Sequence, residues 1–192
     1  MRYEPTAIPD VFLPTPQVVT DERGFFMETW RENDFFAHVG PYRFVQENQS
    51  CSRQGVLRGL HFQEQKSQGK LVRCVTGEIF DVAVDLRPGS PSRGKWVGRF
   101  LSETNNCLLW IPPGFAHGFY TRSPEARLVY KCTEYYAPEY ERTLLWNDPV
   151  LRIDWRPKAA GFRPNRAQYH NPVSTHNPSP RRGSPRRSSP DC

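Results

Sequence analysis

The sequence predicts an all-β fold, an antiparallel sandwich or barrel, and three observations carry that expectation. Short runs rich in Val, Ile, Leu, Phe, Tyr and Thr recur through the chain, eight or more of them between Phe44 and Tyr135. Turn-forming residues punctuate them at Thr76-Gly77, Pro88-Gly89-Ser90-Pro91 and Asn105-Asn106. Only one stretch carries a convincing helical pattern, which argues against helices layered on the sheet.

Thr15 to Thr20 reads as a short strand that ends in the turn Asp21-Glu22-Arg23-Gly24, and Gly24 to Trp30 as a strand of aromatic character. A short helix is expected from Asn33, as N-cap, through Phe35, Phe36 and Val39, with Gly40-Pro41 stopping it. The strands expected next are Phe44 to Ser52, Val56 to Gln63, Lys70 to Val75, Glu78 to Leu86, Lys95 to Ser102, Cys107 to Ile111, His117 to Ser123 and Arg127 to Tyr135. Thr76-Gly77 suits a tight hairpin turn. After Trp155 the pattern dissolves. One domain over 1–157 is expected, followed by a basic tail over 158–192 whose Pro, Ser and Arg content from about residue 171 predicts disorder.

A chain of 192 residues can bury one sizeable core. Its net charge of +6 points at first to a nucleic-acid partner. Residues 156–192, however, hold eight Lys or Arg and one acid, while the first 155 hold 18 basic and 19 acidic side chains. The folded part is thus close to neutral and gives no reason to expect nucleic acid. The five cysteines form no CxxC pair, so neither a disulfide scaffold nor a zinc site is indicated. With no span of ~20 apolar residues and no signal-peptide core, the expectation is a cytoplasmic protein without a membrane partner.

Charged chemistry concentrates in Val56-Leu57-Arg58-Gly59-Leu60-His61-Phe62-Gln63 and Gln68-Gly69-Lys70-Leu71-Val72-Arg73. If Thr76-Gly77 closes a hairpin, Val72 faces Asp81 and Lys70 faces Ala83. Lys70 and Asp81 then become diagonal neighbours on one face, which Asp85 also shares; an exposed ion pair is the plainer reading. His61 lies among apolar residues, where a histidine is more often structural than catalytic. Arg58 has the opposite parity, and a bulge at Gly59 would let the two share a side.

Pro112-Pro113-Gly114-Phe115-Ala116-His117 resembles the second signature of the cupin superfamily, whose histidine binds metal. Around His61 there is only one histidine where a His-x-His pair would be needed. No metal and no other cofactor is therefore expected. Tyr130 sits on an alternating strand, and Tyr135-Tyr136 are paired aromatics on a turn that could stack on a planar base or form a dimer contact.

Taken together, Asp21-x-Arg23-Gly24-x-Phe26, Asn48-Gln49-Ser50, the Val56 and Gln68 runs, Asp81-Val82-Ala83-Val84-Asp85, Gly114 to Phe119, Tyr130-Lys131 and Trp146-Asn147-Asp148-Pro149 resemble the dTDP-4-dehydrorhamnose 3,5-epimerase family, in the same order. The resemblance covers about residues 3 to 155. It implies a cupin-like jelly-roll homodimer, without metal or cofactor, that converts dTDP-4-dehydro-6-deoxy-D-glucose into dTDP-4-dehydro-L-rhamnose. By the same resemblance His61 is the base and Tyr130 the acid on the opposite face. Lys70 would stabilise the enolate, with Asp81 holding Lys70 or His61 in place. Arg23, Phe26, Glu28, Gln46, Asn48, Arg58, His117 and Glu141 match positions that contact the nucleotide sugar, and Tyr136 the one that stacks on thymine.

The chain departs from that pattern after Trp155, where no Leu-Ser-x-Lys-Asp segment follows. Two other readings stay open at this point: an epimerase acting at C3 or C5 alone, and a dTDP-sugar-binding protein with impaired catalysis.

Overall fold

The computed structural model describes residues 1–156 and 163–164. In chain order the strands are β1 (Arg2–Pro5), β2 (Phe12–Thr15), β3 (Val18–Asp21) and β4 (Gly24–Met27), followed by helix α1 (Glu32–His38). Then come β5 (Gln46–Arg53), β6 (Val56–Gln63), β7 (Lys70–Thr76), β8 (Glu78–Asp85), β9 (Trp96–Ser102), β10 (Leu108–Ile111), β11 (Phe115–Thr121) and β12 (Glu125–Cys132). A 3₁₀ turn at Pro138–Tyr140 leads into β13 (Glu141–Thr143), and the two-residue strand β14 (Arg163–Pro164) comes last. The expected disorder from about residue 171 lies outside the described residues.

One sheet runs β1-β2-β10-β7-β12-β5 and the other β13-β6-β11-β8-β9, with β14 parallel to the start of β6, while β3 and β4 form a separate two-stranded arm. Period-2 alternation explains how the sheets pack. Val72 and Cys74 of β7 and Ile79 and Ala83 of β8 point into one interior core, with Leu109, Phe115, Phe119 and Leu128. The alternate residues of β8, Phe80, Val82 and Val84, face outward and are covered by Leu144, Leu151 and Trp155 of the segment after β13. On the outside of the first sheet, Phe35 of α1 packs edge-on against Trp110.

Most strands fall where the residues place them, with three corrections. The expected Thr76-Gly77 hairpin is not one: β7 pairs with β10 and β12, β8 with β9 and β11, and the turn carries the chain from one sheet to the other. A β8 that is buried on both faces lacks the alternation that distinguishes a hairpin arm from a crossing strand. Asn33 lies inside α1, whose N-cap is Arg31 with no side-chain cap bond. The strand expected over Arg127 to Tyr135 runs from Glu125 to Cys132.

Candidate active site

Most strands present apolar residues to the interior, but β5 and β6 do not. β5 alternates Gln46, Asn48, Ser50 and Ser52 toward the inside, and β6 offers Arg58, His61 and Gln63. β5 is the edge strand of its sheet and β6 lies next to the edge strand β13 of the other, and between them the sandwich opens into a polar cavity of about 310 Å³. Its walls are Gln46, Asn48, His61, Phe62, Gln63, Gln68, Lys70, Tyr130, Tyr136 and Glu141. His61 comes from one sheet and Lys70 and Tyr130 from the other.

The expected bulge at Gly59 is present. Phe119 and His117 of β11 pair with Arg58 and His61, so β6 advances three residues where β11 advances two. That extra residue brings Arg58 and His61 to the same side. Gly59 has φ +117°, and a Cβ there would stand 2.5 Å from Gly118 Cα and 2.7 Å from the His117 carbonyl oxygen. Gly59→Ala is therefore expected to destabilise the fold by about 1–3 kcal/mol and to reduce turnover by about 10²-fold through a misplaced His61. Thermal unfolding and steady-state rates measure the two effects. Wild-type turnover in this variant would show that the bulge does not aim His61.

Burial pushes the His61 imidazole below its ordinary value, Glu141 opposes that, and the neighbouring Lys70, His117 and Arg58 add to it. The ring is neutral at neutral pH and free to accept a proton. Lys70 is also lowered by burial, against the opposing influence of Cys132, Asp81 and Glu141. Tyr130 is raised, first by burial and then by Cys132, so it keeps its proton.

Asp81 is completely buried, which rules out the exposed ion pair. Its Oδ1 accepts a 2.7 Å hydrogen bond from His117 Nε2, so the histidine it holds is His117 and not His61. Lys70 and Asp81 do both face the interior, but from opposite sheets and not as diagonal neighbours in one. Asp85, on the same face as Asp81, is spent on Arg87, Ser90 and Ser92 in the β8–β9 loop.

The rim is a bonded frame. Gln46 donates to Asn48 Oδ1 at 3.0 Å and accepts the Tyr136 backbone N–H at 2.9 Å, while the Tyr136 hydroxyl donates to Glu141 Oε2 at 2.7 Å. Gln63 accepts the Ala137 N–H at 2.8 Å. Arg58, exposed on β6, donates from Nε to Ser52 Oγ at 2.9 Å.

The sequence matches the family of dTDP-4-dehydrorhamnose 3,5-epimerases over residues 5–174. The chain belongs to this family. It is 59% identical over 150 residues to the enzyme of that name from Neisseria gonorrhoeae, covering 78% of this chain and 46% of that one. This chain thus spans about half the length of that relative. The namesake from Pseudomonas aeruginosa is 54% identical over 156 residues, with 81% and 86% of the two chains covered. A crystal structure of dTDP-6-deoxy-D-glucose-3,5-epimerase from Legionella pneumophila, in complex with dTDP-4-keto-L-rhamnose, superposes with a TM-score of 0.83 at 47% identity, over 86% of this chain and 88% of that one. The fold is the antiparallel, cupin-like jelly roll of these epimerases.

Of the residues that the epimerase resemblance singled out, His61, Lys70, Tyr130, Gln46, Asn48, Tyr136 and Glu141 line the cavity. Arg58 is not among the lining residues but stands exposed on the same side of β6 as His61, and His117 with Asp81 lies behind His61 in the adjoining strands. Arg23, Phe26 and Glu28 do not join them. They sit on or next to the β3–β4 arm, with Arg23 paired to Asp21, Glu28 to Arg31, and Phe26 73% exposed. Two further residues received no role from the sequence. Gln63 shares the parity of His61 and could have been found that way. Cys132 shares that of Tyr130, pairs with Lys70 across the strands, and takes a 3.6 Å hydrogen bond from Asn48.

Proposed function

We propose that this protein epimerises C3 and C5 of dTDP-4-dehydro-6-deoxy-D-glucose, giving dTDP-4-dehydro-L-rhamnose, as a step of dTDP-L-rhamnose biosynthesis in the cytoplasm. The observation that carries this reading is a neutral imidazole on one sheet facing a protonated phenol on the other, with a buried lysine in the same cavity. The C4 ketone of such a sugar acidifies the hydrogens on both neighbouring carbons. His61 removes one, the electron pair moves to O4 as an enolate, and the Lys70 ammonium stabilises the charge there. Tyr130 returns a proton from the opposite face, which inverts the carbon. Arg58 supplies a planar cation for the diphosphate, and Tyr136 an aromatic face for thymine.

Incubation with dTDP-4-dehydro-6-deoxy-D-glucose in deuterated water, followed by NMR, tests the reaction. Deuterium is expected at both C3 and C5. Label on a single carbon would make the protein a monoepimerase, and binding with no label a sugar-nucleotide binder.

The arm completes the reading. Arg23, Phe26 and Glu28 do not line this chain's cavity, and the arm exposes Val19, Phe25 and Phe26. In a homodimer, the arm of one copy would supply these three residues to the cavity of the other. Mixing inactive His61→Ala with inactive Arg23→Ala protein is then expected to restore activity, because each mixed dimer contains one intact site. Mixtures as inactive as their components would refute the exchanged arm.

A further inference from the structure

Among the described residues, His61 has several basic neighbours and few acidic ones. Arg58 precedes it on β6, His117 faces it from β11, and Lys70 enters the cavity from β7. From β12 it meets Tyr130 and Cys132, both held protonated by burial. Facing residues on β5 are the uncharged Gln46 and Asn48. The carboxylate of β8, Asp81, is committed to His117.

That leaves β13. Thr143 is the cross-strand partner of His61 and Glu141 that of Gln63. Residues two apart share a face, so Glu141 is the diagonal neighbour of His61, at the ~7–8 Å that suits long side chains. Both line the same cavity. Glu141 is also tied to the nucleotide end, because its Oε2 accepts the hydroxyl of Tyr136, an exposed ring whose backbone N–H is held by Gln46.

We propose that Glu141 is a positioning residue for the base: its carboxylate keeps the His61 imidazole receptive to a proton, and the Tyr136 hydroxyl governs how much of that charge His61 experiences. When Tyr136 turns to stack on a planar base, its hydroxyl leaves Glu141, and the full negative charge then faces His61. Occupation of the nucleotide end thereby strengthens the base at the sugar end. The inference rests on His61 being the base, and it goes beyond a contact between Glu141 and substrate. Burial and the neighbouring Lys70, His117 and Arg58 weaken His61 as a base, and among the described residues Glu141 is the carboxylate that opposes them.

The test follows the His61 ring by NMR through a pH titration of the full chain without substrate, with the resonance assigned from His61→Gln. In Glu141→Gln the His61 midpoint is expected to fall by roughly half to one pH unit, the Coulomb effect of one charge at that spacing in a partly screened cavity. Glu141→Asp, which keeps the charge, stays closer to wild type than Glu141→Gln. Tyr136→Phe moves the midpoint up. An unchanged midpoint in Glu141→Gln, or one unchanged or lowered in Tyr136→Phe, overturns the proposal. The Tyr136 variant alters an exposed hydroxyl and decides the matter even if Glu141→Gln fails to fold. Deuterium uptake by wild-type protein on the dTDP sugar is measured separately. Its absence would remove the epimerase reading while leaving the coupling of Glu141 to His61 intact or refuted on its own evidence.

Discussion

His61→Ala is expected to lower epimerisation by about 10³-fold or more while leaving dTDP binding within a few fold of wild type. The variant removes the neutral imidazole of the cavity but keeps Arg58, Lys70 and Tyr136, which the proposed reaction assigns to the diphosphate, the enolate oxygen and the nucleobase. Deuterium uptake should disappear together with product, because no carbanion forms at either carbon. Exchange that survives at the wild-type rate would show that another group is the base.

The pH profile of kcat/KM gives the same assignment a second check. Because burial holds His61 below its ordinary 6.5, the imidazole stays neutral to lower pH than a free histidine, and the acid limb should lie below 6.5. Rising acidity then protonates the base before it can act. The alkaline limb should fall below 10.5, where the depressed Lys70 loses the charge that the enolate needs. An acid limb at or above 6.5 would contradict a buried, cation-flanked base.

Tyr130→Phe should separate exchange from inversion. The wild-type arrangement takes a proton on one face and returns one on the other, from groups carried by opposite sheets. Without the phenol, the enolate can still form at His61 and be reprotonated by the same imidazole after its proton has exchanged with solvent. Deuterium then enters with retention of configuration. Inverted product is expected to fall by about 10²–10⁴-fold, and deuterium uptake by much less. Equal losses in both would mean that Tyr130 does not act as a separate acid.

His61 and Tyr130 were singled out by the family motifs, and a strand of period 2 then declares which side chains share a face. Val56 to Gln63 coincides with β6, and the conflict of parity between Arg58 and His61 pointed to the bulge at Gly59. The pairing of Lys70 with Asp81 shows the opposite case. Both residues do turn inward, but the hairpin that was to join them does not exist, and they approach from separate sheets. The same limit hid the bond from His117 to Asp81, two residues 36 apart in the chain that become diagonal neighbours only once β11 lies beside β8.

By itself, the sequence determined that the protein is antiparallel β, where most of its strands lie, and, through its family motifs, that it belongs with the epimerases and has His61, Lys70 and Tyr130 as its candidate chemical residues. Its alternation and turn residues act over a few positions, and the family motifs stand in order along one chain. Only the tertiary structure decided which sheet each strand joins, that Asp81 serves His117, that Glu141 lies diagonal to His61, and that the β3–β4 arm stands apart from the cavity of its own chain. Those outcomes depend on strand pairings between distant segments. A local pattern names the face of a strand but not its neighbour.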